Sequence, residues 1–241
     1  MNQLNIQQIF ESNPYPGRGI LFGKSEDNLF AVMAYFLTGR SENSRNRILA
    51  ENEQGISTKP FDAAKVSDPS LILYSPVRVF PGATVVTNGD QTETISDFFK
   101  QGKTFEDALR TRTFEPDAPN FTPRISGLME TGKVFRYRLS LIKSGDAEGK
   151  SVQRFFYEYE SPLAGDGRLL HTYLGDGDPL PSFEGEPVRV AVEGDIDTLS
   201  HALWDSLNEE NKISLFVRFV NLKTGLMETR IFNKNLSAQG S

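Results

Sequence analysis

The sequence contains no cysteine and only two histidines among its 241 residues. Without cysteine the chain has no disulfide bond, no thiolate metal site and no cysteine nucleophile. His171 and His201 are far apart and lack the spacing of a helical metal motif, so a zinc site would need distant carboxylates. We therefore expect neither a metal nor a cofactor. His201 is expected to be structural, whereas His171, in a long predicted loop, could reach a ligand.

Long hydrophobic runs and an excess of positive charge are also missing. The longest apolar run is well short of the roughly 20 residues that span a bilayer, and the start of the chain lacks the basic and hydrophobic regions of a signal peptide. The formal net charge of -6 argues against binding nucleic acid through a general basic field. We therefore expect a cytoplasmic protein that binds neither membranes nor nucleic acid.

No linker rich in proline, glycine and serine divides the sequence, so we expect one domain over residues 1–241. Short hydrophobic runs separated by turn residues predict strands. These are at 20–22, 29–37, 71–80, 83–87, 125–129, 134–142, 153–159, 188–192, 213–220 and 226–232. Helices are predicted over 92–100, over 104–113 with Thr104 as N-cap, and after Asp195 as N-cap.

Three other stretches are predicted to be mainly irregular. Residues 1–12 form a short helix or a frayed arm, and 55–70 form a loop with at most a short strand. Residues 163–186 have too many glycines and prolines for regular structure and predict a long functional or mobile loop. Many antiparallel strands with helices in two separate groups indicate an α+β layered fold.

Arginines are concentrated around one hydrophobic hairpin near the start of the chain. Arg18 lies between Gly17 and Gly19 ahead of the first strand, and Arg40, Arg45 and Arg47 follow the second in a polar loop. Glycines beside an arginine let the backbone approach a ligand that the guanidinium also binds. Composition leaves two interpretations open, which are arginines that solvate a loop and arginines that bind an anion such as phosphate.

Two apparent ligand motifs do not withstand inspection. Residues 145–151, GDAEGKS, imitate a phosphate-binding loop, but the spacing between the glycines is one residue short and the segment lies between predicted strands. Asp176-Gly-Asp178 resembles the start of a calcium loop, but Pro179 and Pro181 occupy positions that such a loop needs for ligands and for its sharp turn. The first segment is predicted to be a turn, and no calcium site is expected at the second.

Longer motifs carry a family resemblance. The strings GRGILFGKS, AYFLTGRSENSRNR, VVTNGDQTETI and FTPRISG resemble the IMP cyclohydrolase family first known from archaea, in its bacterial branch. The match is close from about Asn13 to Gly127 and thinner beyond, although HTYLGDGDPLPSFEGEP at 171–187 is also similar. The resemblance implies an N-terminal-nucleophile-hydrolase-like αββα sandwich of four layers. Because this chain begins Met-Asn-Gln, hydrolysis by an N-terminal nucleophile is not expected.

The resemblance also implies an activity and the residues that perform it. The activity is closure of 5-formamidoimidazole-4-carboxamide ribonucleotide to IMP with loss of water, without metal. By motif, the catalytic residues are Arg47, Tyr74 and Glu115, with Asp117 as a rival for Glu115 because that segment needs a gap to align.

Ligand contacts are assigned partly from motifs and partly from composition. Asn88 and Arg124 match motif positions, whereas Arg18, Arg40 and Arg45 are candidates for the phosphate by composition. The expected partner is a small purine ribonucleotide, and a homo-oligomer is compatible with the sequence. The competing hypothesis is a purine-nucleotide-binding protein of the same fold that lacks the activity.

Overall fold

Two antiparallel sheets carry most of the chain in a computed structural model that describes residues 3–66 and 73–237. The strands in chain order are β1 (Arg18–Lys24), β2 (Phe30–Thr38), β3 (Arg47–Asn52), β4 (Gly55–Pro60), β5 (Val77–Phe80), β6 (Ala83–Thr87), β7 (Arg124–Glu130), β8 (Arg136–Ser144), β9 (Val152–Tyr159), β10 (Asp166–His171), β11 (Val188–Ala191), β12 (Lys212–Asn221) and β13 (Met227–Asn233). The first sheet has, within the described chain, the order β11-β10-β1-β2-β12-β13, and the second runs from β3 to β9 in sequence order.

Helices are few and lie between strands or at the ends of the chain. They are α1 (Ile6–Ser12), α2 (Glu42–Arg45), α3 (Gln91–Lys100), α4 (Phe105–Arg110), α5 (Ile196–Ser206) and α6 (Lys234–Ser237), with a 3₁₀ turn at Ala63–Lys65. The predicted N-caps are confirmed, because the Thr104 side chain accepts from the Asp107 amide and the Asp195 side chain accepts from the Thr198 amide. None of the helices in the described residues is long and apolar enough to cross a membrane. The fold is α+β.

Strand β2 is buried on both faces, as its unbroken apolar run predicts. Met33, Tyr35 and Leu37 face the second sheet and pack in the core between the sheets. Val32 and Phe36 point the other way, into a cluster formed with α1 and α5. Side chains alternate across a strand, so this one strand lines two separate cores.

A third hydrophobic cluster covers the outer face of the second sheet. Val85 and Leu128 from the sheet pack there against Ile95 of α3 and against Phe105 and Leu109 of α4. The predicted pair of helices is therefore confirmed as a cover for a sheet. Gly102, with a φ of +70°, ends α3 and allows the turn into α4.

One stretch predicted to be irregular, 163–186, contains a strand, and that prediction is wrong. Residues 166–171 form β10. Arg47, predicted to lie in a polar loop, is instead the first residue of β3, whereas β4 at 55–60 is the short strand that the prediction for 55–70 allowed. The strand predicted over 71–80 begins only at Val77, while residues 71 and 72 lie outside the described residues. The strands at β3 and β10 escaped prediction because pairing with a neighbouring strand orders short polar or glycine-containing segments that have no strong pattern of their own.

Candidate active site

Arg18, Tyr35 and Arg47 come together where the two sheets meet. Arg18 begins β1, and Tyr35 lies on β2 opposite Ile20 of β1. The short helix α2 then carries the chain across to the second sheet, where Arg47 is the first residue of β3. Because a single crossing joins the hairpin to β3, an arginine at the end of a polar loop becomes a buried residue that is only 1% exposed.

Tyr74 lies outside the strands and is held by hydrogen bonds of its backbone to Thr58. Its amide donates to Thr58 Oγ1 at 2.9 Å, and its carbonyl accepts from the Thr58 amide at 2.9 Å. The side chain then places its hydroxyl oxygen 2.7 Å from that of Tyr35. The segment before β5 therefore delivers a half-buried phenol to the two arginines.

Glu115 and Asp117 lie on the loop between α4 and β7 and have different surroundings. Glu115 is 5% exposed, and its amide donates to the Thr122 carbonyl at 2.9 Å. Asp117 accepts from the Thr122 amide at 2.7 Å and from the Thr122 hydroxyl. The Asp117 carboxylate thus closes the loop, while the Glu115 carboxylate faces the arginines.

Burial and neighbouring groups shift the pKa values of Arg18, Arg47 and Glu115. Burial alone would lower the pKa of Arg18, but the Glu115 carboxylate and the Tyr74 phenol outweigh it and hold that pKa above its usual range. Burial lowers the pKa of Arg47, with Tyr74 opposing and Arg18 adding to the decrease. Burial also raises the pKa of Glu115, although Arg18 and Arg124 act in the opposite direction.

Two guanidinium nitrogens in the cluster have no hydrogen-bond partner within the described residues. These are Arg18 Nε and Arg47 Nη1, although Arg47 Nε donates to the Ser44 carbonyl at 2.8 Å. A buried donor without a partner costs about 1–3 kcal/mol, and more when it is charged. Such groups are typical of a site that binds an anionic or strongly polar ligand.

Behind Glu115 lies a buried network that contains the two motif-matched ligand candidates. Arg124 Nη1 donates to Gln91 Oε1 at 2.7 Å and pairs with Asp90 at 2.7 Å. The Asn88 side chain accepts from Gln91 at 2.9 Å and donates to the Pro123 carbonyl at 2.8 Å. The side chains of both candidates are thus bonded to other protein groups beside the cluster.

The other two phosphate candidates lie outside this cluster. Arg40 pairs with Asp176 and stacks over the Tyr15 ring, whose centroid is 4.9 Å away. Arg45 is exposed, and its Nε donates to the Gly39 carbonyl at 3.1 Å. Of the three arginines proposed by composition, the structure brings only Arg18 together with Arg47.

Two tyrosines of the cluster were missed by the sequence prediction. Tyr35 lies inside an apolar run and was assigned with it to the core, although it is the one residue of that run with a polar tip. Tyr173, on the stretch predicted to be a functional or mobile loop, faces Arg18 and places its hydroxyl 2.5 Å from Thr122 Oγ1. His171 is buried, and its Nδ1 donates to the Tyr173 carbonyl at 2.9 Å.

The arrangement offers guanidinium donors, phenol hydroxyls and one buried carboxylate, which together can bind an anion, stabilise an oxyanion and move a proton. Within the described part of the chain, no three histidine, aspartate or glutamate side chains are grouped so that they could hold a metal ion.

Comparison with known proteins gives a consistent result. A family model described as IMP cyclohydrolase-like protein matches residues 15–225. The IMP cyclohydrolase of Methanopyrus kandleri is 30% identical over 182 residues, which cover 70% of this chain and 89% of that protein. The IMP cyclohydrolases of Methanocella arvoryzae and Methanosphaera stadtmanae are 29% and 31% identical, each over 48% of this chain and 57% or 58% of their own length. The chain therefore belongs to the IMP cyclohydrolase-like protein family.

Proposed function

We propose that this protein is an IMP cyclohydrolase that closes 5-formamidoimidazole-4-carboxamide ribonucleotide to IMP with loss of water. One observation carries the proposal. Arg47, Tyr74 and Glu115, the residues that the family resemblance assigns to catalysis, are far apart in sequence, and yet Tyr74 and Glu115 both act electrostatically on Arg47 and on Arg18.

The reaction suits this set of groups because both reacting parts belong to one molecule. The carboxamide nitrogen must rotate onto the formyl carbon, and selecting that near-attack geometry can contribute up to roughly 7–11 kcal/mol in well-oriented systems. The formyl oxygen then gains negative charge, until a proton from the attacking carboxamide nitrogen converts it to a hydroxyl. We propose that Arg47 Nη1, which is buried and has no partner within the described residues, donates to it.

Loss of water requires one proton donor and one acceptor. In the proposed mechanism Tyr74 gives its proton to the departing hydroxyl, and Glu115 accepts the proton that the ring nitrogen loses. Burial raises the pKa of Glu115, which makes it a stronger base than an exposed glutamate. Guanidinium, phenol and carboxylate groups suffice for these steps, so we propose a metal-independent reaction.

The nucleotide phosphate needs a separate contact. We propose Arg40 for it, because Tyr15 lies under Arg40 and is stacked on Tyr173, which in turn faces Arg18. A phosphate carries more charge than the Asp176 carboxylate and can displace it from the guanidinium. Arg18 is proposed to bind the reactive end of the ligand, and Arg124 and Asn88 to hold the site in place.

We further propose that residues 1–241 form one domain with the four-layer αββα architecture of N-terminal-nucleophile hydrolases. The arrangement of the cores supports it. One hydrophobic cluster lies between the sheets, a second joins the first sheet to α1 and α5, and a third joins the second sheet to α3 and α4.

A turnover assay tests the proposal. Purified protein is expected to convert the formamido ribonucleotide to IMP, and a chelator in excess is expected to leave the rate unchanged. Arg47→Lys should reduce kcat/KM strongly, because it replaces a planar set of donors with a point charge. Arg110→Lys is the control, since Arg110 is on α4 with its side chain 61% exposed.

The competing hypothesis gives a different result in the same assay. A nucleotide-binding protein without the activity would bind IMP saturably and would produce none. Activity that a chelator abolishes and a divalent ion restores would contradict the metal-independent mechanism.

A further inference from the structure

Tyr35 has no surface through which a ligand could reach it. It is 0% exposed on the central part of β2, with Ile20 of β1 on one side and Phe216 of β12 on the other. Its side chain points into the core between the sheets. Its hydroxyl oxygen nevertheless lies 2.7 Å from that of Tyr74, which is only half-buried.

The direction of this hydrogen bond follows from the difference in burial. Either phenol could donate, but a buried hydroxyl needs a partner for its own proton. Tyr74 Oη is the acceptor that the described residues offer to Tyr35. If Tyr35 donates, the Tyr74 proton is free to point toward the ligand.

The charged groups that face the pair come from three further elements. Arg18 approaches from β1 and Arg47 from β3, and both act electrostatically on Tyr35. Glu115, on the loop before β7, acts on both arginines. Negative charge on Tyr74 would therefore be balanced by two guanidinium groups and stabilised directly by one hydroxyl.

We propose that Tyr35 is a positioning residue that donates its hydroxyl hydrogen bond to Tyr74 Oη, orients the Tyr74 proton toward the ligand and stabilises the Tyr74 phenolate. The inference rests on the proposed function for its catalytic meaning. Burial raises the pKa of Tyr35 well above its usual range, so Tyr35 keeps its proton and remains a donor.

This role fits the proton balance of the ring closure. In the addition, the carboxamide nitrogen bonds to the formyl carbon and one proton passes from that nitrogen to the former formyl oxygen, which becomes a hydroxyl. In the loss of water, the Tyr74 O–H bond breaks as its proton joins this hydroxyl, the carbon–oxygen bond breaks, and the formamido nitrogen forms a double bond to the same carbon. Glu115 takes the proton from the ring nitrogen, and return of a proton from Glu115 to Tyr74 resets the site. Tyr35 loses no proton at any step, and its donated hydrogen bond is strongest when Tyr74 is charged.

The experiment measures how Tyr74 titrates with and without its partner. Tyr35→Phe removes the donor and preserves the ring. The titration step that belongs to Tyr74 is the one that disappears in Tyr74→Phe. It is followed in the ultraviolet titration of the tyrosines and in the pH profile of kcat/KM. Loss of a hydrogen bond to a charged group should shift this titration upward by about one to two pH units.

The matched control is Tyr137→Phe. Tyr137 is also buried in the core between the sheets but faces Tyr159 and Arg168. It should leave the Tyr74 titration unchanged. An unchanged Tyr74 titration in Tyr35→Phe, or an equal shift in Tyr137→Phe, would overturn the proposal.

Two further arms separate the possible failures. A fluorinated tyrosine at position 35 is a stronger donor of nearly the same shape and should shift the Tyr74 titration downward, which keeps the test valid if Tyr35→Phe does not fold. If the natural protein makes no IMP, the proposed ring closure fails, but the ultraviolet titration still decides whether Tyr35 donates to Tyr74.

Discussion

At the scale of single residues, Glu115 and Asp117 show how two carboxylates on one loop acquire different roles. Both oxygens of Asp117 accept hydrogen bonds from Thr122, so its charge is used to close the loop. Glu115 is held by its backbone instead, which leaves its carboxylate to face Arg18 and Arg124. The environment of Glu115 is the one typical of a group that takes part in chemistry.

Amide substitutions distinguish these two carboxylates. Glu115→Gln should reduce kcat by roughly 10²–10⁴-fold while IMP affinity changes little, because it removes a base and nearly preserves shape. Asp117→Asn should lower the thermal midpoint instead, since it weakens the hydrogen bonds that close the loop. Steady-state kinetics and thermal unfolding of both variants check this. A loss of kcat in Asp117→Asn together with full activity in Glu115→Gln would assign the carboxylate role to Asp117.

At the scale of elements, the turn into β1 depends on a glycine that no other residue can replace without strain. Gly17 has a φ of +75°, and a Cβ there would lie 2.1 Å from Thr172 Oγ1 and 2.6 Å from the Tyr173 ring. The turn therefore packs directly against the segment that carries Tyr173 into the cluster. Gly102 has nearly the same φ, but no described atom lies within 4 Å of its added Cβ.

This pair of glycines separates backbone strain from steric contact. Gly102→Ala should cost about 1 kcal/mol from the left-handed backbone alone, which corresponds to about 2–4 °C in Tm for a chain of this size. Gly17→Ala should lower Tm more and should also reduce kcat/KM, because Tyr173 must move. Circular dichroism and steady-state kinetics measure both effects. Equal Tm shifts in the two variants would show that the contact with Thr172 and Tyr173 contributes nothing.

The same scale shows what the sequence could and could not predict. Strand β2 was predictable because an unbroken apolar run has a cause that is local to it. Strand β10 was not, because Gly167 and Arg168 lower its own strand preference and one of the two strands that order it, β1, lies near the opposite end of the chain.

A site residue could be predicted when its type differed from that of its sequence neighbours or when it belonged to a family motif. Arg47 stood out as an arginine among polar residues, and family motifs led to Tyr74 and Glu115. Tyr35 did not stand out, since a tyrosine in a hydrophobic run is as compatible with a core as with a site. Only the approach of the second sheet gives its hydroxyl a partner.

At the scale of the whole molecule, stability should depend on pH through one buried histidine. Burial lowers the pKa of His171 from its ordinary 6.5 to about 4, although the hydrogen bond to Tyr173 opposes the shift. The unfolded chain therefore binds a proton below pH 6.5, whereas the folded protein does so only near pH 4. The contribution of neutral His171 is complete above pH 6.5 and is lost as the pH falls toward 4.

His171→Gln should flatten the decline of stability in acid. The shift corresponds to about 3 kcal/mol of unfolding free energy lost between pH 6.5 and 4. Denaturant unfolding at several pH values measures it in the natural protein and in the variant. His201→Gln, at the other histidine of the chain and exposed on α5, should show the same decline as the natural protein. Parallel curves for all three proteins would contradict the assignment.

Because the cluster lies at the junction of the two sheets, the hydrophobic core between them also determines the geometry of the site. Arg18 and Tyr35 belong to one sheet, and Arg47 and Arg124 belong to the other. The distance between the sheets, set by side chains such as Met33, is therefore also the distance between reacting groups. A displacement of 1 Å can cost 10²-fold in rate, while cores tolerate volume-conserving swaps at small cost in stability. The turnover rate is thus a more sensitive measure of the spacing between the sheets than the free energy of unfolding is. Selection on that rate constrains hydrophobic residues that never touch the ligand.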